Sequence, residues 1–359
     1  MRKNITFVTG IMGNGGAERV ISILANGFAK KGYNIKIIMI YGTRIDYKLD
    51  NCVEVKPIVC RSKIRLIRPI ERIIKIVKIL EEKDLGEVIS FMVNVNIHVI
   101  IANIFSKKKL IISERNDPFQ DPQSKLVRRL RDYMYKYCDC VVFQTQEAQK
   151  YFKTIIQSKS VIIPNPIKSD LPAKYEGERK DYIVSVGRLN RQKNFPMLID
   201  AFYMLQTDYP NYELRIYGDG PLEEELLEYI ERKNLHGKVK LMGFCSNIHE
   251  EILDAKVFAI ASDYEGISNA MLEALAMGLP VVATDCPIGG ARQYIRNKRN
   301  GLLVPVGDVN AMYMALKMLI SDRELAEKIS AEAMLIREEL TDENIIEQWE
   351  KCIKNIKMR

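Results

Sequence analysis

Both halves of this 359-residue chain alternate short β-branched runs with segments of helical apolar spacing, and that order narrows the available folds more than any other feature. Near the start, NITFVTG (4–10) is followed by ERVISILANGFAKKG (18–32) and IKIIMIYG (35–42). Later, KDYIVSVG (180–187), NFPMLIDAFYMLQTDYP (194–210), ELRIYG (213–218), PLEEELLEYIERKN (221–234) and VKLMGF (239–244) repeat the scheme. Strands separated by helices pair in parallel, because a parallel neighbour needs a crossover, and the helices then cover both faces of the sheet. The expectation is an α/β chain of two doubly wound domains facing each other across a cleft. The stretch VIIPNPIKSDLPAKYEGERKD (161–181) is rich in Pro, Lys and Asp and lacks helical periodicity, which places the boundary there. The domains expected are 1–165 and 181–340 with a linker at 166–180; residues 341–359 read as a terminal helix with the option of returning to the first domain.

Composition removes several classes. A hydrophobic share of 47% and a charged share of 28% are those of a soluble globular protein. Seven scattered cysteines without any Cys-x-x-Cys argue against a disulfide framework or zinc site and point to a reducing compartment. The start, MRKNITFVTGIMG, has too short an apolar run for a secretory signal and reads as a first strand. Residues 88–106 carry no formal charge, yet Asn94, Asn96, His98 and Asn103 interrupt them, so a buried strand followed by a buried helix is expected rather than a membrane span. Charge is unevenly shared: residues 1–170 hold 30 Lys+Arg against 16 Asp+Glu, and residues 171–359 hold 24 against 30. The first lobe is therefore expected to meet something anionic.

The stretch SDYEGISNAMLEALAMGLPVVATDCP (262–287) reads as a strand end, a turn, a short helix and another strand. Ser268 or Asn269 serves as N-cap, and Gly278 with Pro280 supplies the stop. Glu265 then lies in the loop past the strand's carboxyl end and Glu273 about one turn into the helix, with the free N–H groups of Gly266 to Met271 between them. Helix N-termini attract anions, and open α/β sheets bind ligands at this edge. A ligand with hydroxyls at both ends and phosphates in the middle suits such a site; the alternative is that both glutamates are simply solvated.

Other loops fit the same picture. TGIMGNGGAERV (9–20) is a glycine-rich turn from strand to helix, but it is not G-x-G-x-x-G: Gly13 and Gly15 fit and the third position is Glu18. The second strand ends at Tyr41 instead of an acid, so NAD is disfavoured on both counts. In VGRLNRQKN (186–194), Arg188 and Lys193 are two cations able to neutralise a diphosphate. YGDGP (217–221) closes a later strand with glycines that permit close backbone approach. No Asp-x-Asp and no metal-spaced cluster of His, Asp or Glu occurs, so any departing diphosphate must be stabilised by side-chain cations and backbone dipoles; no cofactor and no metal are expected. No nucleic-acid-binding signature appears either.

Taken in order, NGGAER, SERNDP (113–118), GRLNRQKN, YGDGP, the Glu265/Glu273 pair within EGISNAMLEALAMGLPVVATDCP, and NGLLVPVGD (300–308) give the chain a full-length resemblance to the GT-B glycosyltransferases of family 4. This retaining group includes bacterial capsule, exopolysaccharide and lipid-linked oligosaccharide enzymes. The resemblance implies the GT-B fold of two Rossmann-like domains and retaining transfer of a sugar from a nucleotide sugar, UDP-linked, to a glycan or polyprenyl-diphosphate-linked acceptor. It implies that Glu273 hydrogen-bonds the ribose, that Glu265 faces the donor sugar, and that the amides around Gly266, Ile267, Ser268 and Asn269 meet sugar and phosphates. Arg188 and Lys193 match the diphosphate-binding cations, Gly15 and Gly16 the loop that approaches the phosphates, Gly218 a backbone contact, and Gly243 with Phe244 the base pocket. Many members carry a first-lobe histidine near the reacting carbon; SERNDP has none, which leaves Glu18, Arg19, Glu114, Arg115 and Asn116 as acceptor-side candidates.

In RSKIRLIRPIERIIKIVKIL (61–80), Arg65, Arg68, Arg72, Lys75 and Lys78 recur at three- and four-residue spacing opposite Ile70, Ile73, Ile74 and Val77. With Pro69 near its start, this is expected to be an amphipathic helix with a cationic stripe, and KLVRRLRDYMYKY (125–137) adds a second basic segment. An anionic membrane surface is the partner expected, with the protein cytoplasmic and peripheral at the inner face of the membrane. Two other readings compete: a sugar-nucleotide epimerase on the same fold, which would turn over without an acceptor, and a non-catalytic membrane-binding module, which would leave the donor motifs unexplained.

Overall fold

The computed structural model describes residues 3–62, 64 and 66–356. The chain separates into two compact units: one runs to Pro166 and takes in the chain again from Asp342, and the other is Ile167–Thr341. The first is built on seven strands, β1 (Asn4–Thr9), β2 (Asn34–Met39), β3 (Val53–Pro57), β4 (Glu87–Phe91), β5 (Leu110–Ser113), β6 (Cys140–Phe143) and β7 (Ser160–Ile162), in the order β3-β2-β1-β4-β5-β6-β7. The second has β8 (Lys180–Val186), β9 (Glu213–Tyr217), β10 (Val239–Gly243), β11 (Ala255–Ile260), β12 (Val281–Thr284) and β13 (Leu302–Val304), in the order β10-β9-β8-β11-β12-β13. Every pairing in both sheets is parallel.

These are the doubly wound sheets that the alternation implies. The central strands are buried along both faces, which is why VISF, LIIS, CVVF and VVAT show no polar alternation. In each sheet the strand order reverses once, between β1 and β4 and between β8 and β11, and the crevice at such a reversal is where open α/β sheets take their ligands.

Four helices of the first unit matter below: α1 (Gly16–Lys30), α2 (Arg68–Leu80), α3 (Val93–Ser106) and α4 (Lys125–Met134). The uncharged stretch 88–106 is β4 followed by α3, as the polar interruptions imply, and among the described residues no helix is long and apolar enough to cross a membrane. Asn96 is tolerated inside α3 because its amide donates to the Ser113 carbonyl at 3.1 Å and the Tyr135 hydroxyl at 3.0 Å.

The helix Asp342–Asn355 belongs to the first unit because of one apolar stripe: Ile345, Ile346, Trp349, Cys352 and Ile353, all buried, recur at helical spacing. Trp349 has no exposed surface and stacks on Phe91 at the end of β4, with ring centroids 5.7 Å apart and planes at 28°. Beside it, Glu350 accepts from Lys31 Nζ at 2.7 Å and from the Tyr33 hydroxyl at 2.9 Å, fastening the helix to the end of α1. Trp349→Ala is expected to cost the first unit about 3–5 kcal/mol, measured as a lower urea midpoint for its unfolding transition. An unmoved midpoint would mean that the helix does not anchor this unit.

Candidate functional site

The second unit gathers most of the expected residues at one sheet edge. Arg188 and Lys193 follow β8, Gly218 follows β9, Gly243 and Phe244 lie at the end of β10, and Glu265 to Asn269 follow β11. All are at the carboxyl ends of the strands, around the β8/β11 reversal.

The loop after β8 is shaped by its asparagines. Asn190 accepts from Lys193 N at 3.3 Å to close a short turn, and Asn194, in the left-handed region at φ 43°, caps the helix Phe195–Asp208 through Met197 N. That loop is tied to the loop after β11 by three bonds: Asn194 Nδ2 to Asp263 Oδ1 at 2.6 Å, Asp263 N to the Gln192 carbonyl at 2.9 Å, and Gln192 Nε2 to the Tyr264 carbonyl at 2.9 Å. Across this seam the Lys193 ammonium sits on the Glu265 carboxylate, which also accepts from Ser262 Oγ at 3.2 Å. Both side chains of the pair are mostly buried. A side chain at position 187 would place its Cβ 2.9 Å from Lys193 Cε, so Gly187 leaves room for the lysine stem. Gly218 is required twice over: its φ is 136°, and a Cβ there would stand 2.0 Å from the Gly187 carbonyl oxygen.

Past Glu265 the chain enters the helix Asn269–Ala276, with Ser268 Oγ accepting from Met271 N at 3.4 Å as the cap. Glu273 lies one turn in and is only 7% exposed. Its Oε2 is 3.0 Å from His249 Nε2 on the helix Ile248–Ile252, which follows Phe244. Phe244 itself is 59% exposed. Arg188, in the same loop as Lys193, is exposed.

In the first unit, Gly15 N-caps α1 and the loop after β1 is tightened by the Tyr47 hydroxyl, which donates to the Gly15 carbonyl at 3.0 Å. Three of the acceptor-side candidates, Glu18, Arg19 and Glu114, are buried. The Arg19 guanidinium donates to the Pro166 carbonyl at 3.1 Å. Burial pushes the Glu18 carboxyl up. Glu114, with 1% of its side chain exposed, accepts from the Tyr135 hydroxyl at 2.9 Å and lies 3.8 Å from Arg131 Nη1, so its carboxylate is engaged in holding the loop after β5. Burial drives Glu114 up to about 7 against the lowering by the Arg131 charge. Asn116 is half-buried and its Oδ1 accepts from Asp117 N at 2.9 Å.

Arg115 differs from its neighbour. Its guanidinium lies 5.0 Å from the Phe91 ring centroid and 5.5 Å from that of Trp349, and Nη1 donates to Asn165 Oδ1 at 2.8 Å. Nε and Nη2 find no hydrogen-bond partner among the described residues. Burial lowers this arginine to about 9, which leaves it charged at neutral pH.

The family model for glycosyl transferases group 1 matches residues 168–335, and that for glycosyltransferase family 4 matches residues 14–171. A Campylobacter jejuni relative is named as an alpha-1,4-N-acetyl-D-galactosaminyltransferase acting on a diNAcBac-PP-undecaprenol glycan; it is 28% identical over 360 residues, 98% of this chain and 99% of its own. The amylovoran biosynthesis glycosyltransferase AmsD of Erwinia amylovora is 25% identical over 360 residues, 97% of this chain and 99% of its own. The solved structure of Anabaena Alr3699/HepE in complex with UDP and glucose has the same fold, with a TM-score of 0.84 at 18% identity over 98% of this chain and 100% of that one.

The chain belongs to the family 4 glycosyltransferases. Its two sheets are those of the GT-B fold. The family resemblance singled out Glu273, but not His249, whose position in the turn of chain after the Phe244 loop was the one available sequence signal. Trp349 and Asn165, which hold Arg115, lie too far along the chain for any local pattern to associate them with it.

The basic helix exists as α2, but its faces follow the expectation only in part, and Arg65 lies outside the described residues. Arg72 turns inward, donating from Nε to the Ile40 carbonyl at 2.8 Å and covering the Tyr41 ring, and Lys75 pairs with Glu71 at 2.7 Å. Arg68 and Lys78 are exposed. Ile70 and Ile74, expected on the packed face, stand in solvent, whereas Ile76, Ile79 and Leu80 are buried.

Between about pH 4.5 and 7 the folded state holds a proton on Glu114 that the unfolded chain has released, so the first unit is expected to lose about 3 kcal/mol of stability as pH rises through that window. Glu114→Gln, neutral throughout, should flatten the slope in urea titrations compared at pH 5 and pH 8. A slope kept in full by the variant would assign it to another group.

Proposed function

We propose that this glycosyltransferase retains anomeric configuration and moves a sugar from a UDP-hexose or UDP-N-acetylhexosamine to a glycan or polyprenyl-diphosphate-linked acceptor, without a metal, in assembly of a cell-surface polysaccharide. The observation that carries the donor half is the Lys193–Glu265 pair beside the amides of Gly266 to Asn269, at the strand-order reversal of the second sheet. The HepE complex with UDP and glucose and the undecaprenol-linked glycan in the Campylobacter enzyme's name support the substrate classes.

In this reading the Glu273 carboxylate accepts from ribose hydroxyls and the exposed ring of Phe244 borders the base. Lys193 turns from Glu265 to the diphosphate, joining the Arg188 fork, and the released Glu265 carboxylate accepts from hydroxyls of the donor sugar. The bond from anomeric carbon to phosphate oxygen breaks with its electron pair going to that oxygen, the bond to the acceptor oxygen forms, and the acceptor hydroxyl gives its proton to the departing diphosphate. The nucleoside diphosphate departs into a cradle of two cations and backbone N–H groups, which stabilise the charge that develops there without reorganising. Arg115, whose buried Nε and Nη2 have no hydrogen-bond partner among the described residues, is the acceptor-side group this reading retains.

The same reading places the enzyme on an anionic membrane surface at the cytoplasmic face. α2 presents Ile70 and Ile74 to solvent with Arg68 and Lys78 beside them, the turn before it exposes Leu66, and α3, packed against α2, ends in exposed Ile104 and Phe105. Apolar side chains flanked by cations are what an interfacial helix inserts among acidic headgroups.

Two measurements test the halves separately. Lys193→Ala and Glu273→Ala should each weaken UDP binding in calorimetry by roughly 10- to 100-fold, the cost of hydrogen bonds to charged groups; undiminished affinity in both would remove the donor assignment. In co-sedimentation with phosphatidylglycerol vesicles, Ile70→Asp with Ile74→Asp should lower binding at least about tenfold, more than Arg72→Ala with Lys75→Ala, because burying each CH₂ is worth about 0.8 kcal/mol. Equal binding by the aspartate variant and the wild type would refute the membrane reading.

A further inference from the structure

The His249–Glu273 contact carries an inference beyond the donor assignment and rests on reading Glu273 as the ribose-binding carboxylate. A carboxylate only accepts hydrogen bonds, so the His249 Nε2 standing 3.0 Å from Glu273 Oε2 carries a hydrogen, in either the neutral or the charged ring. The two side chains are 14% and 10% exposed, so water competes little for the bond. A glutamate has three rotatable torsions, and a carboxylate that must read two vicinal hydroxyls needs its plane fixed; a rigid imidazole held on a neighbouring helix supplies that.

The location of His249 gives the contact a second role. The chain leaves β10 at Gly243, exposes Phe244, turns through Cys245 to Asn247 and enters the helix Ile248–Ile252, with His249 in its only full turn. One continuous segment of about six residues therefore bears the aromatic side chain bordering the base and the imidazole holding the carboxylate. Whatever seats the base also seats the clamp on Glu273.

We propose that His249 is a positioning residue: it holds Glu273 Oε2 so that the carboxylate distinguishes nucleotides by their ribose hydroxyls, and it couples that discrimination to the loop carrying Phe244. A histidine that merely fills space beside a buried glutamate would affect stability or affinity in general, not the preference for the sugar of the nucleotide.

The test compares UDP with 2′,3′-dideoxy-UDP by calorimetry in the full-length protein. Wild type should favour UDP by roughly 10- to 100-fold, and His249→Phe, which keeps a ring but removes the donor, should reduce that preference to about threefold or less. His249→Gln, whose amide can donate from a similar position, should restore the preference to within about threefold of wild type. The double variant His249→Phe with Glu273→Ala should discriminate no worse than Glu273→Ala alone, since the histidine acts through the carboxylate. If His249→Phe weakens both nucleotides equally and leaves the preference intact, or if the two substitutions add in full, the positioning role is wrong. If Glu273→Ala itself keeps the wild-type preference, the ribose assignment fails instead, and the two failures are told apart by which variant shows them.

Discussion

The Lys193–Glu265 ion pair is the contact around which the second unit arranges its loops. Two charged side chains, each mostly withdrawn from solvent, would be costly to leave there alone, so each holds the other in place until something competes. The pair bridges the loops after β8 and β11, the two strands between which the sheet reverses its order, and the asparagine and glutamine bonds of the same seam keep the loops at that separation. In the proposed function, a polyanion entering beside the amides of Gly266 to Asn269 offers Lys193 a stronger partner, and the carboxylate it leaves behind becomes an acceptor for sugar hydroxyls. On that proposal, an interaction that stabilises the loop pair doubles as the means of receiving substrate.

The first unit solves a different problem, that of keeping an arginine charged while largely burying it. Phe91 and Trp349 supply aromatic faces, Asn165 takes one donor, and the buried Nε and Nη2 find no hydrogen-bond partner among the described residues. Trp349 comes from the last helix, so the carboxyl end of the chain completes the surroundings of a residue more than two hundred positions earlier. Glu114, adjacent in sequence, is turned the other way, into a network with Tyr135 and Arg131 that braces the loop from beneath.

Much of this was legible in the residues. The βα alternation implied two parallel sheets, and the serine cap with the Gly278–Pro280 stop implied a helix at 269–277; both are present, the helix as Asn269–Ala276. Which face of α2 packs was not legible, because Ile70 and Ile74 form one apolar stripe and Ile76, Ile79 and Leu80 another, and only contact with α3 and the sheet chooses between them. Glu114 and Arg115 share a motif but not a fate, since burial is decided by Tyr135, Arg131 and Trp349, which no local window contains. The Lys193–Glu265 and His249–Glu273 pairings span 72 and 24 residues; the residue types were readable, and their partnership was not.

In the proposed function, the edge of the second sheet exchanges an internal ion pair for a nucleoside diphosphate. A crystal structure of the protein soaked with UDP tests it most directly. The account predicts Lys193 Nζ moved off Glu265 to within ~3 Å of a phosphate oxygen, and ribose hydroxyls donating to Glu273. Diphosphate bound elsewhere, with the Lys193–Glu265 pair undisturbed, would contradict it.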